Sequence, residues 1–243
     1  MPIDDVFFEC LSEQPGVCQE MLRVILQDPE LFVKEVIPQR SERNPFGRSV
    51  RLDCLCILGD GSLVNIEIQR SDNDDHIRRT RFNAASITVH ASEPGSRFAD
   101  VAEVYVIYIS QFDLFKEDKT LYHVDKILRE TGTRIDDGEH IIFVNTAVND
   151  GSDIAGLMSC MLQEEVTDER FPCLAAGIRT LKETEGGTTS MCKLMDKYIE
   201  EAKAPLLRQM EEDRRQMEMK DRQMEEDRRK IEELTAKLAA LSC

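Results

Sequence analysis

Three observations along the 243-residue chain predict an α/β fold. RLDCLCILGDGSLVNIEIQR (51–70) reads as two apolar strands joined by a glycine turn. AEVYVIYIS (102–110) and HIIFVNT (140–146) are short, nearly all-apolar runs, the pattern of strands covered on both faces. Helical periodicity fills the segments around them, so strands and helices alternate as in a sheet flanked by helices.

Each element has its own signal. PGVCQEMLRVILQD (15–28) places Val17, Met21, Leu22, Val24 and Ile25 on one broad helical face after a Pro-Gly break. SERNPFGRS (41–49) is a loop by composition, and the hairpin follows it. DDHIRRTRFNAASITVHA (74–91) starts a helix with Asp74 or Asp75 as N-cap and carries Ile77, Arg81, Ala84, Ala85 and Thr88 at helical spacing. Another helix is expected near 121–131, ahead of the last apolar strand, and the sheet domain then spans residues 1–150. Residues 151–202 read as a helical extension broken at Pro172 and at Gly186-Gly187.

From 203 the composition changes. QMEEDRR, QMEMKDR, QMEEDRR and KIEELTA run from 209 to 236 with a period of seven. Met210, Met217, Met224, Ile231 and Leu238 form one stripe, but the position three further on is Asp213, Lys220 and Asp227 before it becomes Leu234 and Leu241. A coiled coil wants both positions apolar. Residues 203–243 therefore read as a long charged helix with a weak seam, through which a homo-oligomer could form.

The formal net charge is −16, while the tail from 203 carries ten basic and ten acidic residues, so the acidity belongs to the preceding domain. That balance argues against a generic nucleic-acid binder. Between Lys34 and Lys116, however, every basic residue is an arginine (40, 43, 48, 51, 70, 78, 79, 81 and 97), the residue whose planar fork matches phosphate. Pairing with the local acids Glu42, Asp72, Asp74 and Asp75 is the other use open to them. No apolar run approaches the roughly 20 residues of a membrane span. The acidic opening MPIDDVFFEC lacks the basic start of a signal peptide, and a cytoplasmic protein is expected. Eight scattered cysteines show no zinc-type spacing, and Cys54 and Cys56, two apart on a strand, are expected to pack as small apolar groups.

The hairpin carries the chemistry. A two-residue turn at Asp60-Gly61 would send Asp53 and Glu67 to opposite faces. A three-residue loop, Gly59-Asp60-Gly61 with Gly61 left-handed, pairs Leu58 with Ser62 and therefore Asp53 with Glu67, and puts Gln69 on the same face. Two carboxylates so close raise each other's pKa, a conflict that Mg²⁺ or Mn²⁺ relieves while activating water for phosphodiester hydrolysis. The alternative is that both acids lie near strand ends and pair with Arg51 and Arg70.

The order GRSVRLDCLC, VNIEIQR, RRTRFNAAS, VYVIYIS, YHVDKILRETG, DDGEHIIFVN, TTSMCKLMDKYIEEA resembles the bacterial PD-(D/E)XK nuclease family transposases, relatives of the Rpn recombination-promoting nucleases, from Asp4 to about Ala202. The resemblance implies a restriction-endonuclease-like mixed sheet flanked by helices and a metal-dependent DNA endonuclease. Asp53 and Glu67 would hold Mg²⁺ or Mn²⁺, and Gln69 would stand where the family's lysine is usual. Glutamine can orient water or phosphate but cannot act as a base. An acid from the first helix often joins the set, with Glu20 the best-placed candidate and Glu9 behind it. Arg78, Arg79 and Arg81 after the motif, and Arg48 and Arg51 before it, would contact DNA phosphates. The rival class is a catalytically silent DNA-binding or coiled-coil interaction protein on the same fold. His123 and His140 lack ligand spacing and read as structural, and Asn145 reads as a fold marker.

Overall fold

The computed structural model describes residues 1–38, 41–42, 50–73 and 75–241. Arg48 and the rest of the 43–49 loop, like Asp74, lie outside the described residues. Two compact units, Met1–Met191 and Cys192–Cys243, divide the chain.

The first unit opens with two helices, α1 (Asp5–Ser12) and α2 (Val17–Ile25). Helix α1 carries Phe7, Phe8, Cys10 and Leu11 into the core. Gly16, at φ +79°, starts α2, and a Cβ there would lie 2.9 Å from the Cys173 sulfur. Strands β1 (Val33–Pro38), β2 (Ser41–Glu42), β3 (Val50–Arg51), β4 (Cys54–Leu58) and β5 (Leu63–Gln69) precede helix α3 (His76–Ala91). Then come β6 (Val104–Ser110), β7 (Leu121–Val124), β8 (Lys126–Ile127), β9 (Arg134–Ile135) and β10 (Glu139–Asn145), followed by α4 (Asp153–Met161) and α5 (Pro172–Glu183).

The main sheet has the order β1-β4-β5-β6-β10-β7. Its centre, β5, β6 and β10, is parallel, and its flanking pairs are antiparallel, so the sheet is mixed as the resemblance implied. The segment expected as a helix near 121–131 is instead strand: Leu121–Val124 pairs antiparallel with β10, and Lys126–Ile127 pairs with β9. Burial does not alternate along it, being half-buried at Leu121 and Tyr122 and exposed from His123 to Ile127, so LYHVDKIL carries no period-two signal to set against its helical spacing.

The hairpin register is set by the three-residue loop. Leu58 N–H donates to Ser62 O at 2.9 Å, Gly61 sits at φ +92°, and Cys54 pairs with Ile66. Continuing that ladder puts Asp53 opposite Glu67. One face of the sheet is covered by α3, where Leu52, Leu55, Leu63, Ala84, Ile87, Val104 and Val106 form a buried cluster. The other receives Cys18 of α2 against Cys54 and Cys56.

Asp75 caps α3, accepting from Arg78 N–H at 3.0 Å. The face expected to be buried is only partly so. Ile77 is 56% exposed, while His76, Thr80, Asn83, Ala84 and Ile87 point inward. The helix thus turns a polar half-face onto the sheet, and the polar groups beneath it explain why. Helix α6 (Glu185–Leu241) is separated from α5 by one residue, Thr184, at a bend, with Gly186-Gly187 in its first turn. These glycines do not form a loop. A Cβ on Gly187 would lie 2.5 Å from Thr180 O, so the residue permits close approach to α5.

The second unit is the continuation of α6. Met210, Met217, Met224 and Ile231 are all more than 60% exposed. Pairs one turn apart, such as Glu225 with Arg229 at 3.2 Å, line its surface. Among the described residues no helix is long and apolar enough to cross a membrane.

Candidate active site

Strand alternation places Asn65, Glu67 and Gln69 on one face of β5, toward its carboxyl end. Tyr108 and Ser110 of β6 lie beside Glu67 and Gln69 in the parallel register. Ligand sites of open α/β sheets form at this end of parallel strands. Asp53 enters from the residue preceding β4, and its Oδ2 accepts the Ile68 backbone N–H at 2.9 Å.

Glu67 is fully buried and held from three sides. Arg79 of α3 donates to its Oε1 through Nε at 3.0 Å and Nη2 at 2.5 Å. Asn83 and Asn65 side chains approach its Oε2 at 3.3 and 3.4 Å. The third Arg79 nitrogen, Nη1, donates to Gln69 Oε1 at 3.1 Å, while Gln69 Nε2 donates to Ser71 O at 2.9 Å. One guanidinium therefore bridges both motif residues of β5.

The electrostatics separate the two acids. Burial pushes the Glu67 carboxyl up, and the Arg79 guanidinium pulls it back. Burial and then repulsion from Glu67 push Asp53 well above the usual carboxylate range, opposed by the Ile68 N–H and only weakly by Arg79. Asp5, at the start of α1, adds further repulsion, and burial raises its own carboxyl too.

The remaining sequence candidates divide. Glu20 does not join this pair: its carboxylate accepts the backbone N–H groups of Cys173 at 3.0 Å and Leu174 at 2.8 Å, capping the start of α5. The unpaired N–H groups at a helix start attract such a carboxylate, and α5, which opens on Pro172, supplies no capping side chain of its own. From the first helix, Asp5 is the acid whose charge acts on Asp53. Glu9 is buried in α1. Arg79, expected on phosphate, is committed to Glu67 and Gln69. Arg78 pairs with Asp75 at 3.2 Å and is exposed, Arg81 is exposed, and Arg51 is half-buried on β3. Asn145 stitches the end of β10, donating to Lys119 O at 2.7 Å and accepting from Val148 N–H at 3.0 Å.

Sequence reasoning missed Asp5, Asn65, His76, Asn83 and Tyr108. His76 is buried, its Nδ1 2.7 Å from the Tyr108 hydroxyl and its Nε2 3.0 Å from Asp72. A carboxylate only accepts, so Nε2 donates to Asp72, and in a neutral ring Nδ1 accepts from Tyr108. Asn65 shares the period-two face of Glu67 and Gln69, which was a legible signal. Its Oδ1 is buried without a hydrogen-bond donor.

A family model described as PD-(D/E)XK nuclease family transposase matches residues 16–234. The chain belongs to that family. No curated protein and no solved structure matches it. In this PD-(D/E)XK chain the six-stranded mixed sheet flanked by helices agrees with the expected fold. A separate group, the exposed acids Glu103 and Asp136 with the half-buried His140, gathers near the amino-terminal ends of β6 and β10, away from the carboxyl ends where Glu67 and Gln69 lie.

Proposed function

We propose that the protein is a cytoplasmic, Mg²⁺-dependent DNA endonuclease of the recombination-promoting type, with Asp53 and Glu67 as metal ligands and Mn²⁺ as an alternative ion. What supports this reading is the β4–β5 register, which continued by one residue puts Asp53 opposite Glu67 on the face of Gln69, at the carboxyl end of the parallel strands. The donor set fits a hard cation. It is all oxygen, two of its acids have raised pKa values, and Asn65 Oδ1 is a buried acceptor still without a donor. A divalent ion held there would polarise a phosphodiester oxygen and activate a water.

The chain's own residues supply the rest. Gln69 is not basic enough to accept a proton and serves to orient. Arg79 remains charged at all working pH values and brings from α3 the positive charge that position 69 lacks, next to Gln69 where a phosphate would sit. Asn83 and the Asp72–His76–Tyr108 chain fix α3, and with it Arg79, over β5. Arg51, Arg78 and Arg81 are assigned to the DNA backbone outside the catalytic centre.

Plasmid nicking with Mg²⁺ tests the proposal. Wild type is expected to nick, and Asp53→Ala and Glu67→Ala are expected not to. Equal traces of cleavage in all three proteins would overturn it. One observation favours a second reading, a silent DNA-binding or interaction protein: Arg79 already neutralises Glu67 without any ion. In that case nicking is absent while DNA binding and self-association through the methionine stripe of α6 persist. Truncation after Ala202 then changes the mass in solution.

A further inference from the structure

On the sheet face opposite the carboxylates, three cysteines meet. Cys18 projects from the first turn of α2, and Cys54 and Cys56 project from β4, two residues apart and so on one face. The Cys18 and Cys54 sulfurs are 3.8 Å apart, and those of Cys54 and Cys56 are 3.9 Å apart. All three sulfurs lie within 4.8 Å of one another. The three residues are 2%, 0% and 0% exposed.

We propose that Cys18, Cys54 and Cys56 form a binding site for one thiophilic d¹⁰ cation, of the Cu⁺ or Zn²⁺ class, that pins α2 to the sheet. A point equidistant from the three sulfurs lies about 2.2–2.5 Å from each, which brackets the metal–thiolate bond length of about 2.3 Å. The ligands are already gathered, so binding needs little movement of backbone. Soft sulfur donors select Cu⁺ and Zn²⁺ over the hard ions that suit Asp53 and Glu67, which keeps the two sites chemically separate. Among the described residues no His, Asp or Glu joins the group as a fourth ligand. Ser12 lies beside the group: its carbonyl accepts from the Cys18 thiol at 3.5 Å and its hydroxyl donates to Glu9 O. Structural zinc takes four ligands, so the three-coordinate set favours Cu⁺. The Ser12 carbonyl ends α1, and the negative end of that helix favours a cation beside it. Simple packing of three apolar thiols also fills this space, and the experiment separates the two.

The full chain is purified anaerobically, stripped with chelator, and titrated separately with Cu⁺, Zn²⁺ and Mg²⁺. Cu⁺, and Zn²⁺ more weakly, are expected to give an ultraviolet thiolate-to-metal charge-transfer band saturating at about one ion per chain, with a rise in melting temperature. Mg²⁺ is expected to give no band. Cys54→Ala is expected to lose the band, and Cys192→Ser, an exposed control, to keep it. A wild-type chain that gives no band with either soft ion overturns the site whatever the variants do, as does a band that survives in Cys54→Ala. These readouts do not involve DNA cleavage, so they stand apart from the nuclease proposal.

Discussion

The two faces of β5 are built from alternate residues of one seven-residue strand, and they do opposite things. Val64, Ile66 and Ile68 turn toward the thiols and the α2 side and are simply core. Asn65, Glu67 and Gln69 turn toward α3, and two of them are as deeply buried as the isoleucines. Burying a carboxylate costs free energy unless it is paired, and α3 meets that need by presenting Arg79 and Asn83 where an ordinary covering helix presents leucine. A polar inward face on a helix that lies over a sheet is therefore the mark of the site, and burial alone is not.

The sharpest break of that comparison is between neighbours. Asp53→Ala and Glu67→Ala are expected to lower Mg²⁺-dependent nicking by at least about a hundredfold, the scale of losing a central electrostatic group. Ile66→Ala, next to Glu67 but on the other face, is expected to cost about 3 kcal/mol in urea unfolding and leave metal dependence unchanged in the folded fraction. Activity loss with Ile66→Ala that exceeds its unfolded fraction would erase the distinction between the faces.

Arg79→Met comes next. Arg79 is a third exposed, so its loss costs about 1–2 kcal/mol, below the range for a fully buried pair, and nicking is expected to fall about tenfold or more, with partial return in Arg79→Lys.

A pH series sharpens the electrostatic half. Asp53 and Glu67 are raised in the folded chain, so the native state binds more protons than the unfolded one between the ordinary carboxylate value, about 4, and the raised values. Ion-free stability is therefore full at the acid end of that window and declines as pH rises through it, by at most about 1.4 kcal/mol per pH unit for each group. Mg²⁺ opposes the decline, and Asp53→Asn flattens it. A melting temperature that rises with pH across this window would contradict the assignment. The smallest effect belongs to the outer surface: Ile77→Ala is expected to change stability by less than about 0.5 kcal/mol, because the side chain is 56% exposed.

Much of this was legible in the sequence. Gly61, placed where a three-residue loop needs a left-handed residue, set the register that brings Asp53 opposite Glu67. The all-apolar runs marked β6 and β10. The orientation of α3 was not legible, because an apolar-face search turns Ile77 inward, whereas the helix answers the charge of Glu67. Nor was the use of Glu20, since its partners are two backbone N–H groups more than 150 residues away.

By itself the sequence determined what neighbours along the chain can decide: strand period, turn conformation, helix caps and the charge neutrality of the tail. The tertiary structure decided which of the two acids receives a guanidinium, and which cysteines meet. Those outcomes depend on desolvation and distance between segments far apart in the chain, and local pattern carries no term for either.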